Sequence, residues 1–98
     1  MPFEQLFPRS LTAVGVHTYA PVSSGVYGIS NAREWIYIGE TDNIQGTLLK
    51  HLQNRDTAPM KCLPTGFVFE VCERELRPGR QNRLILEYGP TCNVLKGA

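Results

Sequence analysis

Tyr27 and Tyr37, Thr47 and His51, and Gln81 are the side chains of this sequence whose types and spacing bear on chemistry. The tyrosines fall in two runs of β-branched and aromatic residues, Gly25-Val26-Tyr27-Gly28-Ile29-Ser30 and Trp35-Ile36-Tyr37-Ile38-Gly39. Such runs suit a pleated surface, and the polar Asn31-Ala32-Arg33-Glu34 between them has hairpin length. On neighbouring strands the two rings can pack as a cross-strand aromatic pair. Thr47 and His51 are four residues apart, so they share the shoulder of a following helix that faces the hairpin. There the imidazole can hydrogen-bond a tyrosine hydroxyl or a backbone carbonyl. Gln81 stands three residues before Leu84 and four before Ile85, on the inward stripe of a second helix. A polar side chain aimed at a sheet needs a partner or a job, and the expectation is that Gln81 bonds Tyr27 or Tyr37. Between Glu34 and Leu49 there is no Lys or Arg, while Glu34, Glu40 and Asp42 place three negative charges around the cleft. Such a rim repels phosphate.

The elements that must position these groups follow from hydrophobic periodicity. Thr41, Asp42 and Asn43 each offer an oxygen to the free amides of a helix start, and Ile44, Leu48 and Leu52 then recur every four residues as one buried stripe. Residues 53–66 carry two prolines, a glycine and no periodicity, which predicts a loop. Phe67 to Cys72 alternates and supplies a third strand. A second helix starts at Pro78-Gly79, buries Leu84, Ile85 and Tyr88, and ends at Gly89-Pro90, after which Asn93 is expected to tie the closing turn to the sheet. Gly25 and Gly39 read as turn residues at strand ends. Arg74, Arg77, Arg80 and Arg83 recur every three residues, interleaved with Glu73, Glu75 and Glu87, and predict a solvated charged face. The first 24 residues are the least legible. Phe3, Leu6, Phe7 and Leu11 suggest one side of a short helix limited by Pro8, and Val14 with Val16 an extended segment, together an extension that covers the sheet or makes an oligomer contact. His17 reads as a surface or packing residue.

Composition bounds the rest. The 98 residues suit one small domain, with residues 1–24 as an extension and 25–95 as the module proper. The hydrophobic share of 42% and charged share of 19% are ordinary for a soluble globular protein, and no apolar run approaches the ~18 residues of a membrane span. Three cysteines, Cys62, Cys72 and Cys92, form an odd count without CxxC spacing, which points to reduced thiols in the cytoplasm and away from a disulfide framework or a zinc site. A net charge of +1 gives no global pull toward nucleic acid.

Gly25-Val26-Tyr27, Tyr37-Ile38-Gly39, then Thr41, Asn43-Ile44 and His51, resemble the N-terminal motif of the GIY-YIG nuclease superfamily, which includes the excision-repair nuclease subunit. The distal run from Gln81 through Leu84-Ile85, Tyr88 and Pro90 to Asn93 is similar to its C-terminal signature. The resemblance implies an α+β fold, a three-stranded antiparallel sheet flanked by helices in the order strand-strand-helix-strand-helix. It further implies that Tyr27 is the general base of phosphodiester cleavage, helped by Tyr37, with an arginine steadying the phosphate and a glutamate holding one divalent metal. Those last two positions are Thr47 and Gln81 here, so both groups that handle charge are replaced. Magnesium prefers anionic oxygen, and a hydroxyl offers one donor where guanidinium offers five and a full charge. The expectation is a nuclease-like module that has lost catalysis, needs no cofactor and binds nucleic acid or a protein. The competing class is an active Mg-dependent endonuclease, with Glu87 or Glu40 reaching the metal and Arg83 or Arg55 the phosphate. The sequence implies no membrane partner and fixes no oligomeric state.

Overall fold

The computed structural model describes residue 3 and residues 7–93. In chain order the elements are β1 (Arg9–Ser10), α1 (Ala13–Tyr19), β2 (Gly25–Ser30), β3 (Trp35–Thr41), α2 (Ile44–Gln53), α3 (Ala58–Lys61), β4 (Gly66–Val71) and α4 (Arg77–Tyr88). The strands form one antiparallel sheet in the order β1-β4-β2-β3, so the expected α+β class holds with four strands rather than three.

The central strand β2 is buried along its whole length because β3 and β4 flank it and helices cover both faces. Alternation along β2 sorts the core. Tyr27 and Ile29 point to one face, where Phe67, Ile44 and Leu48 meet Leu11, Val16 and Ala20. Val26 points to the other, where Ile38 and Val68 meet Leu84 of α4 and Phe3. Between Ile29 and Ser30 the register shifts: Ile29 opposes Tyr37 while Ser30 opposes Trp35, leaving Ile36 as an extra residue. This bulge lets Ile36 and Tyr37 both join the α2 face, while Trp35 joins Phe3 and Tyr88 on the other. The hairpin connection is an Asx turn in which Asn31 Oδ1 accepts from the backbone amides of Arg33 and Glu34.

The N-terminal segment differs most from expectation. No helix runs across residues 7–11; Arg9 and Ser10 instead pair with Phe67 and Gly66 as an edge strand. The stretch read as extended is helical. Thr12 caps it by accepting from Gly15 N–H, and Val16 is fully buried. The expectation overweighted β-branching at Val14 and Val16 and missed the cap three residues before Gly15. Leu6 lies outside the described residues. His17 is on the surface. The 53–66 segment also contains a short helix, α3, opened by Pro59 in its first turn.

The four arginines are not a solvated stripe. Arg77 is buried, and its guanidinium reaches Glu40 at 3.2 Å, Asp42, Ser24 Oγ at 2.9 Å and the Thr41 carbonyl at 3.1 Å. Arg80 makes a two-pronged bond with Glu70, both contacts at 2.8 Å. These pairs pin the start of α4 to β3 and β4, whereas Arg74 and Arg83 are exposed. The sequence hid this because the partners are 10 to 53 residues apart.

Candidate functional site

The candidate site is built where β2, β3 and α2 meet. Tyr27 opposes Gly39 across the β2–β3 pair, and Tyr37 lies diagonal to it on the same face, with ring centroids 6.1 Å apart and planes tilted by 44°. Gly39 is a matter of space and not of a turn: a Cβ there would lie 2.7 Å from the Tyr27 hydroxyl oxygen and 2.9 Å from the Tyr37 ring. Gly25 does open β2, but a Cβ there would lie 2.2 Å from the Glu70 carbonyl oxygen. Both residues therefore serve close approach, which corrects the reading of them as turn glycines.

Asn43 sets the helix that completes the site. Its Oδ1 accepts from Gly46 N–H at 3.0 Å, capping α2, and Thr41 Oγ1 accepts from the Asn43 amide at 3.1 Å. Ile44 and Leu48 fix the rotation of α2 on the sheet by burial, which carries Thr47 and His51 to its hairpin-facing shoulder. His51 Nε2 meets the Tyr27 hydroxyl at 3.0 Å, and its ring sits edge-on to Tyr37 with centroids 6.0 Å apart. Burial pushes the Tyr27 phenol far above its ordinary value, with the neighbouring Tyr37 adding to the rise. Burial also lowers the pKa of His51. Both groups are therefore neutral at neutral pH, and the bond between them is a neutral one. Thr47 turns its hydroxyl to Thr41 Oγ1, closing the corner between β3 and α2.

Gln81 is half-buried on α4, and its side chain has no hydrogen-bond partner among the described residues. Helix α4 covers the Val26–Ile38 face, opposite the face that carries Tyr27 and Tyr37. The expected bond from Gln81 to either tyrosine is not made; His51 takes the Tyr27 hydroxyl. The acidic rim is corrected as well. Arg77 neutralises Glu40 and Asp42 from across the fold, and holds the Asp42 carboxyl below the usual carboxylate range through a hydrogen bond and its charge. Glu34 accepts from the Thr91 hydroxyl at 2.8 Å. Asn93 clamps the outer edge of β3, its side chain accepting from Ile38 N–H at 2.6 Å and donating to the Ile38 carbonyl at 2.9 Å.

Beside His51 an open cleft of about 410 Å³ is lined by Thr47, Lys50, His51, Gln53, Asn54 and Thr57. Lys50 was missed in the sequence, although it stands three residues after Thr47 on the same helix and the i, i+3 spacing marked it. Of the other cations considered, Arg55 borders a separate hollow with His17, Leu49 and Leu52, and Arg83 is exposed on α4. Among the described residues no three His, Cys, Asp or Glu side chains gather where they could hold a metal ion. No described helix is long and apolar enough to cross a membrane.

No protein-family model matches the chain, and no curated protein matches it. Solved structures do. The chain is similar to the GIY-YIG N-terminal endonuclease domain of UvrC from Thermotoga maritima bound to magnesium, at 22% identity and a TM-score of 0.62, covering 76% of this chain and 91% of that one. Two point mutants of the same domain bound to its catalytic divalent cation match at TM-scores of 0.64, with 21% and 20% identity, each covering 76% of this chain and 90% of theirs. At this identity the likeness establishes the GIY-YIG fold.

Proposed function

We propose that this chain is a GIY-YIG-fold module in which the hydrolytic chemistry has been lost, and which binds nucleic acid through the cleft beside His51 without cutting it. One observation carries the reading: the Tyr27 hydroxyl, in the position the family uses as base, belongs to a residue only 3% exposed and is taken up by His51. A base must reach the proton it removes, and Tyr27 is almost wholly buried and is not among the residues that line the cleft. Three further observations support it. Thr47 spends its hydroxyl on Thr41 and brings no charge to a phosphate. Gln81, the position the resemblance gives to the metal-holding glutamate, is a neutral amide on the helix that covers the other face of the sheet, so it brings no carboxylate for a hard cation beside Tyr27. Glu40, one substitute ligand, is engaged by Arg77, and Glu87 stands on α4, the helix that covers the face of the sheet opposite Tyr27 and Tyr37. Two lost electrostatic groups, each worth on the order of 100-fold to 1000-fold in rate, are enough to abolish measurable cleavage.

Nucleic acid is favoured over a protein partner because Lys50 and the amides of Gln53 and Asn54 line the cleft while Arg77 cancels the nearby acids. The three free thiols support a reducing, cytoplasmic setting. The test combines two readouts on end-labelled single-stranded, duplex and branched DNA and on RNA. Cleavage in Mg²⁺ and Mn²⁺ is expected to be absent for the wild type and for Tyr27→Phe alike. Binding, followed by fluorescence anisotropy in EDTA, is expected to weaken about threefold to tenfold in Lys50→Ala and to fall with salt. Metal-dependent cutting that disappears in Tyr27→Phe would overturn the reading. Failure to bind any of these nucleic acids would turn attention to a protein partner.

A further inference from the structure

Cys62 and Cys92 lie 30 residues apart in sequence, yet their sulfurs are 3.9 Å apart. Both are free thiols and half-buried, packed at the rim of the core cluster that contains Ile29 and Ile36. Each is held at its backbone. The Cys62 carbonyl accepts from Asn31 Nδ2 at 3.2 Å, and Cys62 N–H donates back to the Pro59 carbonyl to close α3. The next residue, Leu63, takes a left-handed backbone with φ 56° and leaves its side chain 77% exposed. A leucine rarely adopts this conformation, and here it marks the turn by which the chain leaves α3 directly after Cys62. On the other side, Cys92 N–H donates to the Ile36 carbonyl at 2.8 Å, and Asn93 grips Ile38. Two anchored backbones thus aim two thiols at one another across the end of the sheet.

We infer that Cys62 and Cys92 form a reversible intramolecular disulfide, with a low-molecular-weight disulfide of the glutathione class as oxidant, and that this bond staples α3 to the edge of β3. The sulfurs close by about 2 Å to reach covalent distance. The thiolate of Cys62 attacks one sulfur of oxidised glutathione, forming a mixed disulfide and releasing one glutathione. The thiolate of Cys92 then attacks the protein-side sulfur and releases the second. In sum, the two protein thiols lose two electrons and two protons, and one oxidised glutathione becomes two reduced molecules. Burial and the contact with Cys62 hold the Cys92 thiol above its ordinary value. The consequence reaches the cleft. Thr57, the residue that opens α3, is part of its wall, so oxidation fixes that wall to the sheet. Cys72 lies on the segment between β4 and α4 and stays outside the pair, an internal control.

The full chain is equilibrated in glutathione buffers of graded redox ratio, quenched with acid and alkylated, then read by intact mass and peptide mapping. The expected result is joint protection of Cys62 and Cys92 with a mass lower by about 2 Da before alkylation, a cross-linked peptide joining them, and Cys72 alkylated throughout. The oxidised wild type and the oxidised Cys72→Ser variant should melt roughly 5 °C or more above their reduced forms, and Cys62→Ser and Cys92→Ser should show no such shift. Independent alkylation of Cys62 and Cys92 at every ratio, a persistent glutathione adduct on either residue, or a cross-link between two chains would each overturn the inference.

Discussion

A phenol buried as deeply as Tyr27 loses its water partners, and the cost is offset only if another group takes the hydroxyl. His51 does so, and the two residues are coupled through that one bond. Tyr27→Phe leaves Nε2 of His51 without its partner, so it should cost about 1 kcal/mol in chemical denaturation with an unchanged m-value. The pH dependence has a definite sign. Burial lowers the folded-state pKa of His51 below the ordinary imidazole value of 6.5, so the unfolded chain takes up the proton first. Stability from this group is fully present above the unfolded value and is lost as pH falls through it toward the folded value. The melting temperature should therefore drop on acidification from pH 7.5 to about 5.5, and His51→Gln should flatten this part of the profile. A His51→Gln profile that matches the wild type over this range would show that the imidazole is not buried as described. The pairing itself was legible as an alternative, since Thr47 and His51 were placed on the shoulder facing the hairpin. Which partner His51 takes was not, because a sequence gives the side of a helix and not the depth of its contact.

At the scale of elements, the closing turn has an unusual share in holding β3. After Gly89 ends α4 in the left-handed region, Thr91 and Cys92 donate to the Trp35 and Ile36 carbonyls, and the Asn93 side chain continues this pairing as a strand residue would. An edge strand is thereby covered without a fifth strand. Asn93→Ala leaves the buried N–H and carbonyl of Ile38 unpaired and should cost about 2–3 kcal/mol. Hydrogen exchange should report it locally, as a faster amide at Ile38 with β2 little changed. Exchange unchanged at Ile38 would mean that water or a neighbouring group replaces the side chain. The start of α4 was misread because its arginines were weighed only against their own spacing and the glutamates near them in sequence. Periodicity along a helix cannot register a carboxylate that arrives from β3 or β4.

For the molecule as a whole, the sheet separates two cores, and the first 20 residues contribute to both. Leu11, Val16 and Ala20 complete the α2 side, while Phe3 stacks on Trp35 and Tyr88, its backbone amide donating to the Tyr88 hydroxyl at 3.1 Å. Deleting residues 1–20 exposes Ile44 and Leu48 on one side and Trp35 on the other. The truncated chain should lose most of its melting cooperativity and bind an apolar dye, as expected of a chain whose packing is incomplete. A truncated chain that melts sharply near the wild-type temperature would instead make this segment a dispensable extension.

The amino-acid sequence by itself determined the order of strands and longer helices from Gly25 to Tyr88, though not the short α3, and with them the start of α2 within residues 41–43, its buried stripe and the GIY-YIG resemblance. Each rests on local information: alternation, four-residue recurrence, or short motifs in register. Only the tertiary structure decided that Tyr27 gives its hydroxyl to His51, that Gln81 rides on the opposite side of the sheet, that Arg77 cancels Glu40 and Asp42, and that Cys62 meets Cys92. All four depend on segments distant in sequence being brought together by the burial of the two cores, and side-chain pairing across such distances leaves no period in the chain to read.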